Sequence, residues 1–260
     1  MKMYEKPPPE IIHSGRKLKL LTSDDAPPFR CDGCHEPGYG LRYTDNGGGG
    51  QSFDLHTCCA LAEKEPTIKH GLFGDLNFEF LVEPTPVVRD TQTTNCDACG
   101  EEARGFVYHC YEKDLDLHPC CASLKERTLL DGRVFELRRK TSRPCGLCGQ
   151  NGHRHRFWAY RSRFDGEDMD IHVACMKNMA SLSWEAAYHN RVVGEQILQV
   201  SGSSMDRMLQ SFAGNRQRRG GFDQFIKVLG NLASIIIAVI FGNPVAMMAA
   251  IAGPGGLLRG

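Results

Sequence analysis

The chain lacks most of what marks an enzyme or a nucleic-acid-binding protein. Its formal net charge is zero, with 31 basic and 31 acidic residues among 260, so no global field draws it to a polyanion. It holds no phosphate-binding glycine loop, no nucleophile elbow and no His-Glu-x-x-His helix. Those absences remove the commonest patterns of nucleotide, acyl-transfer and metallopeptidase chemistry. The opening stretch, Met1 to Glu10, is polar and proline-rich with no apolar run, which is expected of a chain that is not secreted. Tryptophan occurs only twice, and leucine, isoleucine, valine and phenylalanine are modest, so several small cores are expected rather than one large one.

Cysteine, by contrast, is plentiful, and nine of the twelve fall into one phrase repeated three times. Cys31-x-x-Cys34 is followed by Asp54-Leu55-His56-x-x-Cys59, and Cys96-x-x-Cys99 by Asp116-Leu117-His118-x-x-Cys121. Cys145-x-x-Cys148 is followed by Asp170-Ile171-His172-x-x-Cys175. The spacers between second Cys and His hold 21, 18 and 23 residues. Three sulfurs and one imidazole are the ligand set of a closed, tetrahedral, structural zinc site. Three Zn2+ ions are therefore expected, held by Cys31, Cys34, His56 and Cys59; by Cys96, Cys99, His118 and Cys121; and by Cys145, Cys148, His172 and Cys175. A disulfide-rich extracellular protein is the competing reading, but it leaves the ligand spacing unexplained. Nine thiolates and three divalent ions would make the loaded chain about three charges more negative, weakening a DNA-binding reading further.

The fold expected is a series of small zinc-stabilised α+β repeats, each with short antiparallel strands and a short helix, followed by C-terminal helices. Strand-like runs lead into the units at Leu18 to Leu21, Phe78 to Val82 and Val134 to Leu137. Others follow the Cys pairs at Tyr39 to Tyr43, Arg104 to Tyr108 and Arg156 to Tyr160. After each His-x-x-Cys a helical pattern is expected: a turn or two within Cys59 to Glu65 and within Cys121 to Leu130, and a longer stretch from Cys175 to Val200. The divisions drawn are an arm at 1–12, units at 13–75, 76–131 and 132–200, a basic linker at 201–227 and an apolar tail at 228–260. Val228 to Leu258 is 31 residues without a charge, interrupted by Gly242-Asn243-Pro244. Two readings stand for it: a proline-kinked membrane anchor or shallow hairpin, or a helix packed on another protein.

The Cys-x-x-Cys pairs, the Asp-Leu-His-x-x-Cys boxes and their repetition resemble the divergent C1 (DC1) domains of plants, Cys/His-rich relatives of kinase C1 domains. His56-Thr57-Cys58-Cys59-Ala60 and His118-Pro119-Cys120-Cys121-Ala122 carry the likeness most closely, and it extends over about residues 10 to 190. The resemblance implies two cross-braced zinc ions per unit. Here the second Cys pair is missing from each unit: unit two keeps Cys110 but has Lys113 three residues later. His13 and His70 are then relics of opening and closing ligands, and one zinc per unit is expected. Packing by Phe53, Leu115 and Met169 and by the units on one another would offset the lost metal. The resemblance also implies lipid binding, but the loop from Asn46 to Gly50 is all glycine and polar rather than apolar.

The remaining side chains have bland expectations. Cys58, Cys110 and Cys120 are expected to be buried or half-buried thiols. Two of the three aspartates before the histidines are expected at the surface, His153 and His155 in a solvated loop, and Trp158 and Trp184 in a core or interface. A non-enzymatic zinc-binding repeat protein is expected, serving as a protein-interaction scaffold with a protein partner, no small-molecule substrate and no nucleic acid. The alternative is a lipid- or nucleic-acid-responsive binding module, for which Arg154 to Arg163 with Phe157, Trp158 and Tyr160 makes the best local case. An intracellular location, cytoplasmic or nuclear, is expected, with residues 228–258 offering a route to membrane.

Overall fold

The computed structural model describes residues 7–22, 27–45, 50–86, 93–130, 133–141, 143–150, 158–164, 167–178 and 181. They form two compact units divided after Glu126.

The first unit contains two of the repeats. Strands β1 (Glu10–His13) and β2 (Arg16–Leu21) form a hairpin through Ser14 and Gly15, whose φ angles of 48° and 75° place both in the left-handed region of a tight hairpin turn. Short strands β3 (Phe29–Arg30) and β4 (Pro37–Gly38) flank the first Cys pair. Strands β5 (Arg42–Thr44) and β6 (Asp54–His56) complete an antiparallel sheet of order β1-β2-β5-β6, and helix α1 (Thr57–Ala62) starts at the next residue. The second sheet repeats this plan with β7 (Thr67–Lys69), β8 (Asn77–Leu81), β9 (Val107–Cys110) and β10 (Leu115–Leu117), followed by α2 (Pro119–Ala122). Leu18, Tyr43 and Leu55 fill the first core, and Phe78, Tyr108 and Leu117 the second, all at 0 % exposure.

These two repeats are fused. Phe106 N–H donates to Gly33 O at 2.9 Å, and Tyr108 O–H donates to Glu65 O at 3.0 Å. Helices α1 and α2 pack against each other. At the junction a Cβ on Gly105 would lie 2.0 Å from the Gly33 carbonyl oxygen, so only glycine permits the approach.

The second unit holds the third sheet, β11 (Arg127–Leu130), β12 (Arg133–Arg138), β13 (Ala159–Phe164) and β14 (Glu167–His172), again antiparallel in chain order. Residues 173–178 are helical. Phe135, Leu137, Trp158, Tyr160, Ile171 and Met176 form its core.

The expected small antiparallel sheets with short helices are present. The lead-in runs lie in β2, β8 and β12, and the runs after the Cys pairs overlap β5, β9 and β13. One element differs. The turn or two of helix expected within Cys121 to Leu130 ends at Ala122, and Arg127–Leu130 is a strand. Its Thr128-Leu129-Leu130 run pairs with Phe135, Val134 and Arg133, so the next repeat's hairpin claims residues that read as helix in isolation. The expected helix over Cys175 to Val200 is described only at 175–178 and 181, and the apolar tail lies outside the described residues. Among the described residues no helix is long and apolar enough to cross a membrane.

Candidate metal centres

Each Cys pair sits on a tight loop whose construction follows from its own residues. Cys31 N–H donates to Glu36 O, Cys96 N–H to Glu101 O and Cys145 N–H to Gln150 O, at 2.9 to 3.0 Å. The residue after the second Cys turns left-handed, at His35 (φ 60°), Gly100 (φ 76°) and Gly149 (φ 69°), and its N–H closes on the carbonyl of the first Cys. This turn aims both sulfurs of a pair to the same side.

The loop is then locked to the strand that carries the histidine. Asp32 N–H donates to Asp54 O at 2.8 Å, while Asp54 N–H donates to Asp32 Oδ2 at 2.7 Å. Asp97 and Asp116 repeat this reciprocal clamp at 2.8 and 2.8 Å. In the third repeat Gly146 stands at the corresponding position, so only the backbone bond to Asp170 O remains, at 2.8 Å. The histidine ends its strand and the helix begins at the next residue, which brings the last Cys, three positions on, back to the imidazole.

The result is three groups of four: Cys31, Cys34, His56 and Cys59; Cys96, Cys99, His118 and Cys121; and Cys145, Cys148, His172 and Cys175. Within each group every ligand atom lies within 4.8 Å of the others, and the first two groups are buried throughout. His56 Nδ1 lies 3.4 Å from Cys34 Sγ and 3.8 Å from Cys59 Sγ. His118 Nδ1 is 3.5 Å from Cys99 Sγ, and His172 Nδ1 is 3.5 and 3.8 Å from Cys148 and Cys175. A tetrahedral zinc with ordinary Zn–S and Zn–N lengths separates such atoms by about 3.6 Å. These groups can hold metal ions, and no cysteine among the described residues is in a disulfide.

Hydrogen bonds around the groups favour the same arrangement. His56 Nε2 is 3.1 Å from Pro37 O and His118 Nε2 3.3 Å from Glu102 O, contacts in which Nε2 must be the donor. That leaves Nδ1, the nitrogen facing the sulfurs, to coordinate. Backbone N–H groups of His118 and His172 point at Cys96 and Cys145 sulfurs, both at 3.4 Å, and stabilise thiolate charge.

Charge is strongly coupled inside the groups. Burial and then contact with the neighbouring thiols push Cys59 well above the ordinary thiol value. Hydrogen bonding with Cys96 and Cys99 does the same to Cys121, and bonding with Cys145 takes Cys148 to about 12. Contact with Cys120 opposes charge on Cys34, but bonds from Cys31 and Cys59 together carry it the other way, to about 6. Burial opposes charge on His56 and His118, but adjacent sulfurs hold both well above the ordinary imidazole value, and a hydrogen bond with Cys145 raises His172 to about 9. A pocket that concentrates sulfur charge in this way suits a divalent cation, which lets all the thiols ionise together.

All three aspartates of the boxes are buried, which corrects the expectation that two face solvent. Asp54 lies 3.0 Å from Arg42 Nε as an ion contact without hydrogen-bond alignment, and Asp116 Oδ1 lies 3.0 Å from His109 Nδ1. Asp170, at 0 % exposure, takes a bidentate fork from Arg161 at 2.7 and 2.8 Å. The partner sits on the neighbouring strand, directly opposite in the second and third repeats. A basic residue at that position is the sequence signal that identifies the pair. The deep packing residue is likewise the one between Asp and His, since Leu55, Leu117 and Ile171 are fully buried while Phe53, Leu115 and Met169 are half-buried.

His13 and His70 join no metal-type group among the described residues. His13 is buried against Phe53 and Phe106, with Glu63 3.2 Å from Nδ1, and His70 Nδ1 accepts from Leu72 N–H at 3.3 Å. Cys58, Cys110 and Cys120 are all buried, as expected. Sequence reasoning missed a fourth grouping, of His56, Cys58, Cys59 and Cys120, which shares two residues with the first and draws Cys120 from the next repeat. Trp158 and Tyr160 are buried at 1 % exposure, whereas His153, His155, Phe157 and Trp184 lie outside the described residues. In comparisons with protein families, curated proteins and solved structures, nothing matches this chain.

Proposed function

We propose that the chain is a non-enzymatic zinc-binding repeat protein in which three Cys3His sites hold the repeats folded and present them as a scaffold for a protein partner. The observation that carries this is the recurrence of one ligand geometry on three successive sheets. Zn2+ would be held by Cys31, Cys34, His56 and Cys59 in the first repeat and by the corresponding residues in the other two. Four protein ligands close a tetrahedral ion, and a catalytic zinc keeps a position open for water or substrate. The resemblance to divergent C1 domains belongs to this reading, with one ion per repeat rather than two.

Burial of Trp158 and Tyr160 and the engagement of Arg161 by Asp170 favour this reading over a nucleic-acid one for that stretch. The apolar tail at 228–258 is assigned to docking on membrane or partner, in an intracellular setting. A chain truncated after Asn215 is expected to stay folded and to lose sedimentation with anionic vesicles. Retained sedimentation would move the membrane contact into the repeats.

Cobalt substitution tests the closed site. Loaded with Co2+, the full chain is expected to show tetrahedral thiolate-rich absorption that azide or cyanide leaves unchanged. A spectrum that shifts on adding those anions reveals an open coordination position and contradicts the structural reading.

A further inference from the structure

Cys58 and Cys120 occupy the same place in successive repeats, one residue before the last sulfur of each ligand set, on α1 and α2. The two helices pack together, and the sulfurs face each other at 2.7 Å with 5 % and 0 % exposure. Neither belongs to the three repeated ligand sets. The third repeat has Ala174 at this position, so the pairing is confined to the first two. Two sulfurs sharing a tetrahedral zinc stand about 3.8 Å apart, so this pair lies closer than a common ion would hold it.

From this geometry we infer that Cys58 and Cys120 are a dithiol modification site, closed by a peroxide into a disulfide that staples the first repeat to the second. Cys58, the more exposed, attacks first. Its thiolate takes one peroxide oxygen, the O–O bond breaks, hydroxide leaves and a sulfenic acid forms. The Cys120 thiolate then attacks the Cys58 sulfur, the S–O bond breaks and a second hydroxide leaves. The two protons released by the thiols convert both hydroxides to water, so two thiols lose two protons and two electrons and hydrogen peroxide becomes two waters.

Metal on the first site favours this outcome, because it commits Cys31, Cys34 and Cys59 to the ion while Cys58 and Cys120 keep facing each other. To that extent the inference rests on the proposed function. Cys120 also reaches Cys34 and Cys59, so a misdirected disulfide and a fourth ion on His56, Cys58, Cys59 and Cys120 are the competing fates.

The test uses the full metal-loaded chain, treated with hydrogen peroxide near one equivalent, alkylated in denaturant and mapped by mass spectrometry beside a native-state metal count. One cross-linked Cys58–Cys120 peptide with three ions retained is expected, with loss of that peptide in Cys120→Ser and its persistence in Cys110→Ser. A disulfide closing this loop should raise the first unit's melting temperature by about 10 °C. Both thiols still alkylated while three ions stay bound would overturn the inference. So would Cys58 or Cys120 paired with a ligand cysteine, or a fourth ion that Cys120→Ser removes. A chain without metal that still forms only the Cys58–Cys120 link supports the dithiol and counts against the metal reading alone. A chain without metal whose thiols scramble overturns both.

Discussion

Each Cys3His group lies beside a buried aspartate, two positions before its histidine, that faces a basic side chain from another strand. Asp170 is wholly buried, and the Arg161 fork is its charge partner on the neighbouring strand. Removing the cation leaves a buried carboxylate uncompensated, which costs about 3–5 kcal/mol. Arg161→Met is therefore expected to lower unfolding stability of the full chain by about that amount and to weaken metal retention by the third repeat alone. Urea unfolding and competition with a chromogenic chelator measure the two effects. Equal stability in the variant would show that Asp170 tolerates burial without its partner. The aspartates were visible in the sequence as a repeated letter, but their burial was not, because the deciding residues, Arg42, His109 and Arg161, lie on another strand. The Cys3His groupings were easier to read. Their spacing is local within each pair and box, and the donor set is nearly unique to one chemistry.

At the scale of elements, glycine decides how closely the first two repeats approach. A methyl group at Gly105 meets the Gly33 carbonyl oxygen at 2.0 Å, and one at Gly33 meets the Phe106 ring at 2.5 Å. The first obstacle is backbone and cannot rotate away. Gly105→Ala is expected to destabilise the first unit by about 1–3 kcal/mol, and Gly33→Ala by less because an aromatic ring can shift. Chemical unfolding followed by Tyr fluorescence ranks the two, and the reverse order would contradict this packing. Strand positions were legible where buried and exposed residues alternate, as in β1, and less so in β5, β6 and β9, which are buried at every position. The fate of residues 127–130 was not, since a segment as short as Arg127-Thr128-Leu129-Leu130 is strand or helix according to what pairs with it, and β12 supplies that partner. The same limit hid the meeting of Cys58 with Cys120 across 62 residues.

For the molecule as a whole, proton and metal compete for the same atoms, and this gives two pH dependences of opposite sign. With metal removed, His172 is raised from 6.5 to about 9 by its hydrogen bond with Cys145. Its contribution to the second unit is then fully present below about pH 6.5 and lost as the pH rises through about 9. With metal bound, the ligands must stay deprotonated, so stability is instead lost as the pH falls and protons displace the ion. Denaturant unfolding of chelated and loaded chain across this range should give slopes of opposite sign. Slopes of the same sign would mean that the groups do not hold metal in the loaded preparation. Chelation itself is expected to melt sheet structure, because repeats this small have few apolar residues with which to replace a metal. The most direct measurement is the metal content of the purified full chain by elemental mass spectrometry. Three zinc ions per chain, falling to two in His118→Ala, are the result predicted here, and a reduced, folded chain containing none would contradict it.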